Sequence, residues 1–289
     1  MSKTWLIVDN SNLIYRAAYA NSSLTTSKGK FSGHIFGSVA SLLAVLRNEL
    51  KGLEVEIIFC YDGKDSKSFR RTILPEYKAN REVRDLNPIP EATEVLKLWP
   101  GLQIVQEDKE GDDAMAYAVK MLKGQSCVIF TGDKDLWQLL QYPNCRVLSP
   151  NLKRFVEPAD IYDAYHLQNA SERIPLAKAL FGDASDGIRG VERLIKKQVE
   201  PILNSEGVLT PEDFYNKLGT EQPDFISDKM WQKLLDCKEK VFKNYLVILP
   251  QLEFQKSSIT KVGKESLSLL KQKLVEFECF SLIGQVDLL

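Results

Sequence analysis

Trp5-Leu6-Ile7-Val8-Asp9 is a run of four apolar residues closed by an acid. A short apolar run without alternation suits a strand covered on both faces, as in a parallel sheet. The same pattern recurs at Ile57-Ile58-Phe59-Cys60-Tyr61, followed by Asp62, and at Val128-Ile129-Phe130-Thr131-Gly132, followed by Asp133. In open α/β sheets the strand ends open onto one crevice, where ligands bind. Three carboxylates at one rim repel one another unless cations sit between them. Glu110, Asp112, Asp113, Asp135, Asp183 and Asp186 enlarge the supply of acids. The pattern predicts a divalent-metal enzyme.

Working outward, strands are expected at 5–8, 55–61, 102–106, 126–131 and 145–148, alternating with helical patterns. That alternation predicts an α/β fold with a mainly parallel central sheet flanked by helices. One helix is expected from Phe36 to Leu50, with Val39, Leu42, Leu43, Leu46 and Leu50 on one face, and another through Met115, Ala118, Val119 and Leu122. After about residue 170 the strands are expected to stop. Short helices follow, through Ile195–Leu203, Glu212–Leu218, Lys229–Val247 and Glu265–Phe277. The expected division is an α/β domain over 1–170 and a helical domain over 171–289, with a boundary near 165–175.

Residues 64–90 interrupt the first domain with a polar, basic insertion. Between Lys64 and Arg84, the basic residues Lys64, Lys67, Arg70, Arg71, Lys78, Arg81 and Arg84 face only Asp65, Glu76 and Glu82. A solvated charged loop is one reading. The other is a cationic gate beside an acidic crevice, suited to steering a polyanion, with Phe69 and Tyr77 available for stacking on a single strand. The insertion's position directly after Asp62 favours the second.

A near-neutral net charge of -1 hides this segregation. The five cysteines lack metal-ligand spacing, and two of them, Cys60 and Cys127, fall in buried strands, which suits a reducing compartment. The amino terminus runs straight into a strand and no long apolar stretch occurs, so a cytoplasmic protein with no membrane span is expected. His34 and His166 are the only histidines, which argues against a histidine-based nuclease or zinc site.

Six motifs in order then point to a family: Asp9-Asn10-Ser11-Asn12 with Tyr15; Tyr61-Asp62-Gly63; Leu74-Pro75-Glu76-Tyr77-Lys78-Ala79-Asn80-Arg81; Glu110-Gly111-Asp112-Asp113; Thr131-Gly132-Asp133-Lys134-Asp135; and Gly182-Asp183-Ala184-Ser185-Asp186-Gly187. Together they resemble the 5′-nuclease superfamily, the flap endonucleases and the 5′→3′ exonuclease domain of bacterial DNA polymerase I. The compact length looks most like the stand-alone bacteriophage members, whose setting would be the host bacterial cytoplasm. The resemblance implies a PIN-like nuclease domain with a basic arch and a C-terminal helical DNA-binding domain. It also implies hydrolysis of phosphodiester bonds near free 5′ ends or flap junctions, during replication or repair.

The implied substrates are branched, nicked or flapped DNA and RNA–DNA hybrids, with replication proteins as companions. The implied cofactors are two Mg²⁺ ions, with Mn²⁺ as a substitute. In the resemblance, Asp9, Asp62, Glu110 and Asp112 hold one ion. Asp133, Asp135 and Asp186, with Asp112 or Asp113 shared and Asp183 near, hold the other. Asp113 has a second reading as a helix cap. Lys78 and Arg81 would face the scissile phosphate, Arg70 and Arg71 the strand backbone, and Tyr15 a stacked base, with a core aromatic as the alternative for Tyr15.

The chain departs from the pattern after Asp186. Gly187-Ile188-Arg189-Gly190-Val191 fits a helix-hairpin segment, but Arg193 and Ile195 stand where glycines are usual. That weighs against a bound K⁺ and the standard duplex grip; Lys196 and Lys197 remain for phosphates, or as a solvated helix face. A carboxy-terminal sliding-clamp motif is not found. The competing functions are a catalytically silent branched-DNA binder, a dehalogenase-like phosphatase suggested by Asp133-Lys134-Asp135, and a PIN-class ribonuclease.

Overall fold

The computed structural model describes residues 3–80, 87–168, 170–219 and 222–287. The first elements are β1 (Thr4–Asp9), α1 (Asn10–Ala20), α2 (Gly33–Ala44), β2 (Val55–Cys60), α3 (Ser68–Ile73), α4 (Ile89–Leu96), β3 (Gly101–Ile104), α5 (Gly111–Met121) and β4 (Cys127–Phe130). Then come β5 (Cys145–Ser149), β6 (Arg154–Phe155), α6 (Pro158–Tyr165), α7 (Ile174–Phe181), β7 (Gly182–Asp183), β8 (Ile188–Arg189) and α8 (Lys196–Leu203). The chain closes with α9 (Pro211–Leu218), α10 (Asp228–Asp236), α11 (Lys238–Ile248), β9 (Ile259–Val262), α12 (Leu267–Glu276) and α13 (Phe280–Val286).

Contacts divide the chain into two discontinuous units. One comprises residues 1–64, 84–132 and 252–289; the other comprises 65–83 and 133–251. A boundary near 165–175 was the linear expectation, whereas here each unit is built from separated stretches of chain.

In the first unit, strands run in the order β4-β1-β2-β3-β9. β1 pairs in parallel with β2, Leu6 opposite Ile57, and with β4, Leu6 opposite Val128; β2 pairs in parallel with β3. Leu6, Ile7, Val8, Ile58, Phe59 and Ile129 are buried, as expected of strands covered on both faces. The return of β9, antiparallel to β3 with Leu102 opposite Lys261, corrects the expectation that strands end by residue 170. Its sequence, Ile-Thr-Lys-Val, leaves Thr260 and Lys261 exposed, the composition of a protected sheet edge.

The helix expected over 36–50 begins earlier, at Gly33, and passes from α2 into a π-helical turn at Val45–Glu49. Close contact with α1 depends on glycine. A Cβ on Gly37 would lie 2.4 Å from Asn21 Nδ2 and 2.9 Å from Ala17 Cβ, and one on Gly33 would lie 2.0 Å from the Asn21 carbonyl oxygen.

In the second unit, α7 is buried along nearly its whole length and packs on α11. Asn244 of α11 donates to the carbonyls of Ala179 in α7 and Arg189 in β8, each at 3.0 Å. β7 and β8 form a minimal antiparallel pair that carries Asp183. The helix expected over 229–247 is two helices, α10 and α11, separated at Cys237. Among the described residues, no helix is long and apolar enough to cross a membrane.

His34, in the first unit, is buried, stacked on Phe31 and edge-on to Phe277, with Nε2 3.0 Å from Glu91. Burial lowers its pKa, outweighing the charge and hydrogen bond of Glu91, which act the other way. The folded chain therefore binds fewer protons here than the unfolded chain below about pH 6.5, the ordinary histidine value. This stabilisation is complete above that value and is lost as pH falls toward the lower folded pKa. Replacing His34 with Phe should flatten the dependence of Tm on pH between about 6.5 and 5 relative to wild type. Parallel Tm–pH curves for the two proteins would show that the imidazole does not titrate against the fold.

Candidate metal centre

In the first unit the acids lie at strand carboxyl ends and helix starts. Asp9 closes β1 and caps α1: its Oδ1 accepts from Asn12 N at 3.0 Å and its Oδ2 from the Thr131 hydroxyl at 2.6 Å. Asp62 follows β2 and is exposed; its Oδ1 accepts from Gly111 N at 2.7 Å and its Oδ2 from the Ser11 hydroxyl at 2.6 Å. Both carboxylates thus meet helix amino termini, where backbone amides and the helix dipole favour negative charge. Glu110 is buried at the N-cap of α5, and Asp112 is partly exposed in its first turn.

Asp113 has 0% exposure, and its carboxylate accepts from Glu110 N at 3.0 Å, closing a capping box with Glu110. Of its two readings from sequence, the cap is the one with geometry behind it.

In the second unit, Asp133 Oδ1 accepts from Asp135 N at 2.8 Å, which fixes the turn leading into a 3₁₀ segment, Asp135–Gln141. Among the described residues, Asp135, Asp183 and Asp186 form a group whose ligand atoms all lie within 4.8 Å of one another. Asp183 Oδ1 accepts from the Ser185 backbone N at 2.8 Å and hydroxyl at 2.7 Å. Gly187 ends this loop in the left-handed region at φ 72°, and a Cβ there would lie 2.7 Å from the Glu76 carbonyl oxygen.

The electrostatics of this group are those of crowded anions. Desolvation first, and the charge of Asp133 next, push the Asp135 carboxyl up to about 7, against the pull of Lys178. Burial acts the same way on Asp183, but the Lys178 ammonium and the two bonds from Ser185 outweigh it and hold Asp183 down at about 2. Lys178 is buried on α7, ion-paired to Asp183 at 2.7 Å and also to Asp135. Sequence reading missed this residue; its one signal was a lysine inside the apolar run Ile174-Pro175-Leu176-Ala177-Lys178-Ala179-Leu180.

The donor set fits a hard cation. Mg²⁺ and related ions take carboxylate oxygens at about 2.0–2.6 Å, so three oxygens within 4.8 Å of one another can surround one ion.

The base of the basic segment joins this group. Lys78 adopts φ 52°, its backbone N donates to the Asp186 carbonyl at 2.8 Å, and its ammonium lies 3.9 Å from Asp186 Oδ2. Asn80 donates to the Ala184 carbonyl at 2.9 Å. Arg81 and Arg84 lie outside the described residues. Arg71 is exposed, with its Nε donating to the Tyr77 carbonyl at 3.1 Å.

Two expectations are corrected. Arg70 is only 3% exposed and donates to the carbonyls of Val247 and Leu249, so it ties α3 to the end of α11 rather than presenting a surface to a strand. Tyr77 is buried with Ile188 and Val247 and cannot stack on a base, whereas Phe69 is exposed.

Tyr15 is exposed on the outer face of α1, which disfavours a core role. Lys196 turns inward to the Ala164 carbonyl, and burial lowers its pKa, while Lys197 is exposed. Arg193 stands at φ 61°, the left-handed conformation that glycine adopts without strain, and exposes its side chain.

The family described as 5′-3′ exonuclease, N-terminal resolvase-like domain, matches residues 4–168. A 5′-3′ exonuclease of Aquifex aeolicus is 29% identical over 292 residues, covering 99% of this chain and 96% of that protein. A DNA polymerase I of Caldicellulosiruptor bescii is 32% identical over 250 residues, covering 82% of this chain and 28% of that protein, so the similarity reaches only part of the polymerase. Among solved structures, a bacteriophage T5 5′-exonuclease with bound divalent zinc shares the fold at a TM-score of 0.66 and 23% identity, over 95% of this chain and 99% of that one. The catalytic core of Rad2 with a DNA substrate aligns at a TM-score of 0.51 and 13% identity, over 96% and 87%.

Asp113→Ala should destabilise the fold by about 1–2 kcal/mol, because it removes a helix cap and leaves a buried N–H without its acceptor. Chemical unfolding measures this, alongside the cleavage rate of the folded variant. A large rate loss at unchanged stability would return Asp113 to metal chemistry.

Proposed function

The chain belongs to the 5′-3′ exonuclease family and is a nuclease of that family, and from this premise we propose that it hydrolyses phosphodiester bonds near free 5′ ends or flap junctions with two divalent ions. The observation that carries the reading is the Asp135–Asp183–Asp186 group, a compact all-oxygen donor set in a chain with two histidines. In this proposal Asp135, Asp183 and Asp186 hold one ion, with Asp133 adding charge beside them. Asp9, Asp62, Glu110 and Asp112 hold the other. Mg²⁺ is the proposed ion and Mn²⁺ its substitute. Such ions supply an activated water and stabilise the leaving oxygen of an in-line displacement.

The chain's own residues do the rest. Amides at the starts of α1 and α5 keep the Asp9 and Asp62 carboxylates aimed. Lys78, held beside Asp186 through its backbone, is proposed to meet the scissile phosphate and offset charge that develops on it. Arg71, Phe69, Tyr15 and Lys197 offer exposed cationic and aromatic surface for a nucleic acid. The proposed substrates are flapped or nicked DNA and RNA–DNA primer junctions, in replication or repair. Arg193 exposes its side chain in the helical region and is proposed as a phosphate contact there.

Cleavage of a 5′-labelled flap duplex and a nicked duplex, with Mg²⁺ and with EDTA, tests the reading. Metal-dependent cutting at or near the 5′ end or junction is expected. Binding of an intact duplex without cutting under any metal condition would favour the catalytically silent binder. Lys78→Ala should lower kcat by about 100-fold or more with a much smaller change in KM. Equal losses in binding and rate would assign Lys78 to substrate capture instead.

A further inference from the structure

We infer that Lys178 is a resident counter-ion of the Asp135–Asp183–Asp186 group, competing with a divalent cation for its carboxylates and so setting how readily that ion is taken up. The inference rests on the reading of this group as a cation site. Lys178 lies between Ala177 and Ala179 on the buried helix α7, with its side chain 6% exposed. A lysine stem ordinarily carries its ammonium out to water, and burying the charge is costly unless it is paired. Here the ammonium bonds to both Asp135 Oδ2 and Asp183 Oδ2.

The accounting of oxygens makes the competition specific. Ser185 engages Oδ1 of Asp183 twice, so Oδ2 is the oxygen left to point toward a cation, and Lys178 takes it. Two of the three carboxylates that would surround an ion are therefore bonded to one ammonium. An ion and an ammonium sharing those carboxylates would repel each other across a few ångströms of poorly screened space. An ion that enters the group therefore competes with Lys178 for Asp135 and Asp183. Lys78 approaches the third acid, Asp186, but at 3.9 Å from its Oδ2 it holds that carboxylate more loosely. The lysine confers a benefit in return: it keeps Asp135 and Asp183 from driving the loop apart by mutual repulsion.

Calorimetric Mn²⁺ titration and thermal unfolding in EDTA, on the full chain, test this with Lys178→Met, a charge-free chain of similar shape. Lys178→Met should bind Mn²⁺ at this group at least about tenfold more tightly than wild type. It should also melt below wild type in EDTA, with the gap closing at saturating Mn²⁺. Lys178→Arg, which keeps the charge, should keep the affinity near that of wild type. Unchanged or weaker Mn²⁺ binding in Lys178→Met would overturn the inference, since the lysine would then be neutral toward the ion or an aid to it. Lys178→Gln carries the same expectations if the methionine variant does not fold. Asp135→Asn separates the two levels: if it removes no Mn²⁺ from the wild-type isotherm, the cation-site reading itself fails.

Discussion

Carboxylates gathered closely repel one another, and the arrangement of both units follows from how that repulsion is offset. The first unit does it with neutral dipoles. Asp9 and Asp62 each accept a backbone amide at a helix start and a hydroxyl, donors that carry no net charge. The second unit does it with full charges: Lys178 bridges Asp135 and Asp183, and Lys78 approaches Asp186. The two solutions differ in what they leave for a ligand. Dipoles fix carboxylates without competing for a cation's place, whereas an ammonium occupies it.

The supporting structure serves these two arrangements. Parallel strands deliver Asp9 and Asp62 to the same end of the sheet, and α5 begins where Asp62 can meet its first amide. In the second unit, α11 holds α7 and β8 through Asn244, and Lys240 donates to the Gly190 carbonyl at 2.8 Å. That clamp fixes the segment carrying Lys178, Asp183 and Asp186. Arg70, buried at the start of the basic segment, anchors α3 to the same α11.

Much of this was legible in the sequence because burial writes plainly. Continuous apolar runs gave β1, β2 and β4, and the acids after them fall at strand ends for the same reason. β9 was missed because an edge strand needs only half its residues apolar, and four residues with an exposed lysine carry little signal. Arg70 and Tyr77 were misjudged because a run of charge looks like surface, although an arginine can bury its guanidinium on helix-end carbonyls. Lys178 was invisible for the opposite reason: its neighbours read as core, and its partners lie 43 residues upstream and at Asp183. Arg193 was legible as a departure from glycine, and its left-handed backbone shows that the conformation persists without the residue that suits it.

The central claim is that each acid group holds its own divalent ion. Crystals soaked in Mn²⁺ and measured at its absorption edge test it most directly. Two anomalous peaks are predicted, one among Asp135, Asp183 and Asp186 and one among Asp9, Asp62, Glu110 and Asp112. A map without a peak at Asp135, Asp183 and Asp186, at a Mn²⁺ concentration that supports cleavage, would contradict the account.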